Sequence, residues 1–224
     1  MATGPSGAES RAGQAEAVSA ILRKRYPDTT PILVYSTPFE LLVAVILSAQ
    51  TTDNQVNQVT PELFARFPTP EALAGAPLGE LESIVHPTGF FRSKARNIKK
   101  AAAAIVATFG GSVPEKMEAL LTLPGVGRKT AHVIRGVLFG HPAIIVDTHF
   151  KRVVTRIGLS SGGTPEAIEK DIARLVSPAQ QFAFSMAVNN HGRQICTSRS
   201  PACERCPVRP HCDFGTASTP GALE

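Results

Sequence analysis

At 224 residues, 43% of them hydrophobic, the chain carries enough apolar material for one large folded domain or two small ones. A net charge of +5 suits a polyanionic partner but is shared by many proteins that bind none. Apolar runs such as Leu41 to Leu47 fall well short of the roughly 20 residues that span a bilayer, which excludes a helical membrane protein. Met1 to Val18 has neither a basic start nor an apolar core, so it is no secretory signal and reads as a flexible tail over residues 1–13. Helices are then predicted from about Gln14 to Arg25, Pro38 to Ala49 and Asp53 to Phe67, with Thr60-Pro61-Glu62 marking a kink in the third. Thr69-Pro70-Glu71 and Thr164-Pro165-Glu166 each combine a capping hydroxyl, a proline at the first helical position and an early acid, and predict two further starts. Ser93 to Phe109, Lys116 to Leu121, Arg128 to Phe139, Thr148 to Ile157 and Ala179 to His191 complete the set, with Gly110-Gly111 and Gly158 as terminators. The one strand-like stretch, Ala143 to Val146, cannot make a sheet alone, so the fold class is all-α. Residues 213–224 read as a second flexible tail.

Leu123-Pro124-Gly125-Val126-Gly127 joins two of these helices through a turn whose glycines leave backbone N–H groups able to face an anion. The turn feeds the head of the helix beginning near Arg128, where unsatisfied N–H groups and the helix dipole favour negative charge. Such a contact grips a phosphate backbone and reads no sequence. A tight turn between packed helices explains the same five residues equally well.

The four cysteines of the chain, Cys196, Cys203, Cys206 and Cys212, are gathered in a C-x6-C-x2-C-x5-C spacing. Four thiolates complete the ligand set of an iron–sulfur cubane or of a structural zinc, whereas a disulfide framework would scatter its cysteines. Free thiols in turn imply a reducing compartment.

Leu123 to Ala131, Val146-Asp147-Thr148-His149, His191-Gly192-Arg193 and the cysteine cage stand in the order found in the endonuclease III branch of the helix-hairpin-helix DNA glycosylases, which the chain resembles from about residue 14 to Cys212. The resemblance extends to Leu47-Ser48-Ala49-Gln50 with Asp53 and to Gly89-Phe90-Phe91 ahead of Ser93-Lys94-Ala95. It implies a two-lobed fold: a six-helix barrel domain over 31–141 carrying the hairpin, and a discontinuous [4Fe-4S] domain from 14–30 and 142–212. Members with lysine at the position of Lys129 are bifunctional; the amine displaces the damaged base at C1′, forms a Schiff base and promotes β-elimination of the 3′ phosphate. Asp147 takes the part of the assisting carboxylate, although its place before Thr148 also suits a helix N-cap.

The resemblance further assigns Gln50 to the space vacated by the flipped nucleotide and Phe90 to a wedge on the opposite strand, where relatives often carry leucine. Arg92 and Lys94, nearest that wedge, are expected at phosphates, as is Arg199 in the cysteine loop. Leu123, Gly125, Val126, Gly127 and Arg128 form the hairpin contact, and Ser48, Asp53 and His149 border the base pocket. Asn189-Asn190 departs from the apolar residues relatives place there. The expected enzyme is a monomeric DNA glycosylase and abasic-site lyase of the bacterial nucleoid in the cytoplasm. It has no membrane partner and acts on double-stranded DNA with oxidised pyrimidines or abasic sites. A non-catalytic or weakly active DNA-binding paralogue with a structural cluster uses the same motifs. A ferredoxin-like carrier would leave Leu123 to Thr130 and Val146 to His149 without a purpose.

Overall fold

The computed structural model describes residues 10–28 and 32–217; the rest of the two expected tails lies outside the described residues. Among these, every regular element is a helix, and threonines open many of them. Thr37, Thr52, Thr69 and Thr164 stand in extended conformation before a first turn, and each Oγ1 accepts a hydrogen bond from the N–H three residues on at 3.1 to 3.2 Å. Proline follows three of the four, where its missing N–H costs nothing. Among the described residues, no helix is long and apolar enough to cross a membrane.

The described residues fall into two compact units, one within 30–141 and one drawn from 1–29 and 142–224. The discontinuous unit opens with α1 (Arg11–Arg25), which starts ahead of the expected Gln14 because Ser10 Oγ accepts from Gly13 N at 3.2 Å. Gln14 is thereby inside the helix, and its amide donates to the carbonyls of Ile157 and His211.

The continuous unit is built around α2 (Pro38–Leu47), apolar on every side, with Leu41 to Leu47 each at most 7% exposed. Around it pack α3 (Asp53–Arg66), α6 (Phe91–Phe109) and α8 (Arg128–Phe139), while α4 (Pro70–Gly75) and α5 (Leu78–Val85) lie on α6 and α7 (Met117–Leu121) leads into α8. α3 remains a single helix across Pro61. α5 escaped the sequence reading because Pro77 precedes it and no side chain caps it.

In the discontinuous unit, α11 (Pro178–Gln194) packs on α1 and on α9 (Thr148–Ile157), with α10 (Pro165–Leu175) against α1. Phe150 and Phe184, both fully buried, meet edge to face at 6.1 Å between ring centroids. α11 continues past the expected end at His191, and Gly192 permits its close approach to α9: a Cβ there would lie 3.0 Å from His149 Cβ. Ala143 to Val146 forms no strand; Ser185 Oγ instead accepts from Ile145 N at 3.1 Å. Residues 213–217, expected as tail, form the short helix α12 (Asp213–Ala217) against α9.

Candidate active site and metal centre

The hairpin is a tight turn anchored from below. Leu123 and Val126 are buried, and Val126 N donates to Leu123 O at 3.0 Å, so these two residues offer the surface only backbone. Gly125 is required twice: its φ is +84°, and a Cβ would meet Ile46 Cγ2 and Asn97 Cβ at 3.0 Å. Gly127 is extended, nothing crowds it, and no side chain caps α8, so the helix head is open where Arg128 and Lys129 emerge exposed.

Gln50 and Phe90 share a distinction no composition count reveals. Among the described residues they are the two non-glycine positions with positive φ, at 54° and 48°. Left-handed backbone costs such residues on the order of 1 kcal/mol, and strain of this kind collects at functional positions. Phe90 caps α6 from this conformation and is 67% exposed, and Gln50 is exposed on the turn after α2. A Phe90→Gly variant is expected to hold or raise thermal stability by up to about 1 kcal/mol, because glycine tolerates the conformation. It should still release damaged base more slowly; melting curves beside single-turnover excision test both halves.

Ser48 Oγ, at the end of α2, donates to Val45 O at 2.9 Å, and Asp53 begins α3 half-buried. The expectation for Lys94 does not hold. Its side chain is buried, Nζ donates to Thr88 O at 2.7 Å, and burial pushes its pKa down from the ordinary lysine value. Because α6 starts at Phe91, position 94 falls on the face turned to the core, where the amine holds the loop under Gly89 and Phe90. Arg92 does point outward, stacked over the Phe91 ring at 5.3 Å. Arg92→Ala should therefore flatten the salt dependence of DNA binding by roughly one unit of log–log slope. Lys94→Met should leave that slope alone and cost roughly 1–3 kcal/mol in urea unfolding, because the Thr88 carbonyl loses its partner.

In the discontinuous unit, Asp147 is the N-cap of α9. Its Oδ1 accepts from Phe150 N at 2.8 Å and its Oδ2 from Asn189 Nδ2. His149, the second residue of α9, has Nδ1 3.1 Å from Arg152 Nη2.

All four cysteines are free thiols, and together with Val153, Ile157 and His191 they line one cavity. Four thiols give one ligand to each iron of a cubane, so the donor set fits an iron–sulfur cluster. Burial pushes the Cys206 thiol up to about 11 and raises Cys212 as well, so iron must displace protons on binding. Two arginines of α9 that the sequence reading passed over hold the cysteine loop. Arg156 reaches Thr197 O at 2.7 Å, Ser198 O at 2.9 Å and Cys196 Sγ at 3.5 Å, and Arg152 Nε reaches Cys196 O at 3.0 Å. His191 lies between Tyr26 Oη at 3.4 Å and Cys206 Sγ at 3.5 Å. Burial first, and the Arg25 charge second, lower its pKa to about 4 and keep it neutral. Arg199 is exposed on the loop itself.

A glycine hairpin delivering a lysine to an open helix head, with a thiol-lined cavity in a separate helical unit, defines a helix-hairpin-helix protein with an iron–sulfur domain. Residues 43–178 match the HhH-GPD superfamily base excision DNA repair protein family, and residues 196–212 match the iron-sulfur binding domain of endonuclease III. The chain is 47% identical over 210 residues to the endonuclease III of Synechocystis sp., covering 93% of this chain and 96% of that one. To the Escherichia coli endonuclease III it is 38% identical over 193 residues, covering 86% and 92%. A solved structure of a trapped endonuclease III–DNA covalent intermediate, an estranged-adenine complex, superposes with a TM-score of 0.87 at 39% identity, covering 92% of this chain and 97% of that one. The chain belongs to the endonuclease III family, and its cofactor is a [4Fe-4S] cluster.

Proposed function

We propose that this chain is a bifunctional DNA glycosylase and abasic-site lyase of base excision repair that removes oxidised pyrimidines from duplex DNA and cuts 3′ to the resulting abasic site. The observation that carries the reading is Lys129, exposed in the first turn of α8 directly after the hairpin. Phosphates held at the hairpin and helix head bring the sugar to that amine without reading sequence. The amine attacks C1′, the base departs with the bonding electrons, and the opened sugar is held as a Schiff base. Loss of a proton from C2′ then expels the 3′ phosphate.

Asp147 assists the nucleophile and stabilises positive charge on the sugar as the base leaves, a task for a carboxylate already fixed in place. Gln50 and Phe90 occupy the gap left by the extruded nucleotide, whose unstacking costs a few kcal/mol. Ser48, Asp53 and His149 border the base. The four cysteines hold the cluster, which supplies a rigid cross-link to the loop carrying Arg199. The enzyme acts as a monomer at the bacterial nucleoid. Duplexes carrying one defined lesion each test the reading: oxidised pyrimidines should be released and the strand nicked, and cleavage confined to preformed abasic sites would refute the glycosylase half.

A further inference from the structure

Asn189 and Arg193 form a short relay onto Asp147. Asn189 Nδ2 donates to Asp147 Oδ2, and Arg193 Nε donates to Asn189 Oδ1 at 2.9 Å. The direction of the amide is forced, since a carboxylate only accepts and a guanidinium only donates. Asn189 and Arg193 are four residues apart on α11, so one helix face carries both, and α11 packs on the α9 helix that Asp147 caps.

The N-cap bond alone secures only Oδ1 and leaves the carboxylate free to pivot about its last side-chain torsion. The Asn189 N–H removes that freedom. Each oxygen keeps a further lone pair for the substrate, and the pinning group is neutral, so the negative charge Asp147 presents is not cancelled.

We propose that Asn189 is a positioning residue that locks the orientation of Asp147, with Arg193 in turn fixing the Asn189 amide. The inference rests on the role given to Asp147 above.

The test is single-turnover release of thymine glycol from a duplex by the cluster-loaded full chain, with DNA affinity measured in parallel. Asn189→Ala is expected to slow base release about ten-fold, the scale of one charge-assisted hydrogen bond, while affinity stays within about two-fold. Asn189→Asp keeps the shape and loses the donor, so it should be at least as slow; it also serves if the alanine variant fails to load its cluster. Arg193→Ala should lose less than Asn189→Ala. In an Asp147→Asn background, Asn189→Ala should add almost nothing, the non-additivity expected of groups acting through one another. Wild-type release by both Asn189 variants, or an equal loss in both backgrounds, would overturn the relay. Wild-type release by Asp147→Asn itself would instead remove the role of Asp147 on which the inference stands, so the two failures are distinguishable.

Discussion

A Lys129→Gln variant is expected to form no borohydride-stable adduct with abasic duplex DNA, where the parent enzyme is trapped in high yield. Lys129 is exposed, so its replacement should shift stability by no more than about 0.5 kcal/mol, and loss of trapping cannot be blamed on unfolding. Glutamine keeps the length and polarity of the side chain but has no amine with which to form an imine. Strand cleavage should fall by roughly 10³-fold or more, as for loss of a covalent nucleophile, while hairpin contacts keep DNA affinity near that of the parent. An active variant that still yields the adduct would move the nucleophile to another amine. Lys94 is excluded as that substitute, since its amine is buried on the Thr88 carbonyl.

The second large effect is expected at Asp147, where a single substitution separates the observed helix cap from the proposed catalytic charge. Asparagine is as good an N-cap as aspartate, so Asp147→Asn should retain the bond to Phe150 N and most of the stability of α9. The charge is lost, and base release should slow by about 10² to 10³-fold, the scale of removing one preorganised electrostatic contact from a transition state. Asp147→Ala should lose a further 1 kcal/mol or so of stability with the cap, visible as a lower melting temperature. If the asparagine variant excised base at the parental rate, the carboxylate would be left with the capping role alone.

Much of this molecule is readable because its signals are local. A threonine–proline pair carries its own capping chemistry, so α4 and α10 announce themselves within three residues, and the cysteine spacing names its ligand set without reference to the fold. α5 has no such signal, since its start offers a proline and no capping oxygen, and its existence depends on burying Leu81, Ile84 and Val85. Lys94 was misplaced for a related reason. A basic residue among four others reads as solvent-facing, and only the phase of α6, set by its start at Phe91, turns that one inward. The strain at Gln50 and Phe90 is a property of backbone angles, to which neither residue type is a guide. The contacts of Asp147 with Asn189 and of Arg156 with the cysteine loop link positions some forty residues apart, and they exist only once α9 and α11 have docked.

The discontinuous unit also dictates an order of assembly during synthesis. α1 leaves the ribosome first, yet α10 and α11, against which it packs, follow more than a hundred residues later. At roughly 5–20 residues per second that wait is on the order of ten seconds, with the apolar face of Ala15, Val18 and Leu22 lacking its native cover throughout. Residues 30–141 are continuous and need wait for nothing beyond α8. The nascent chain thus has an early window in which α1 is the segment for a chaperone to shield, and iron can be delivered only at its close.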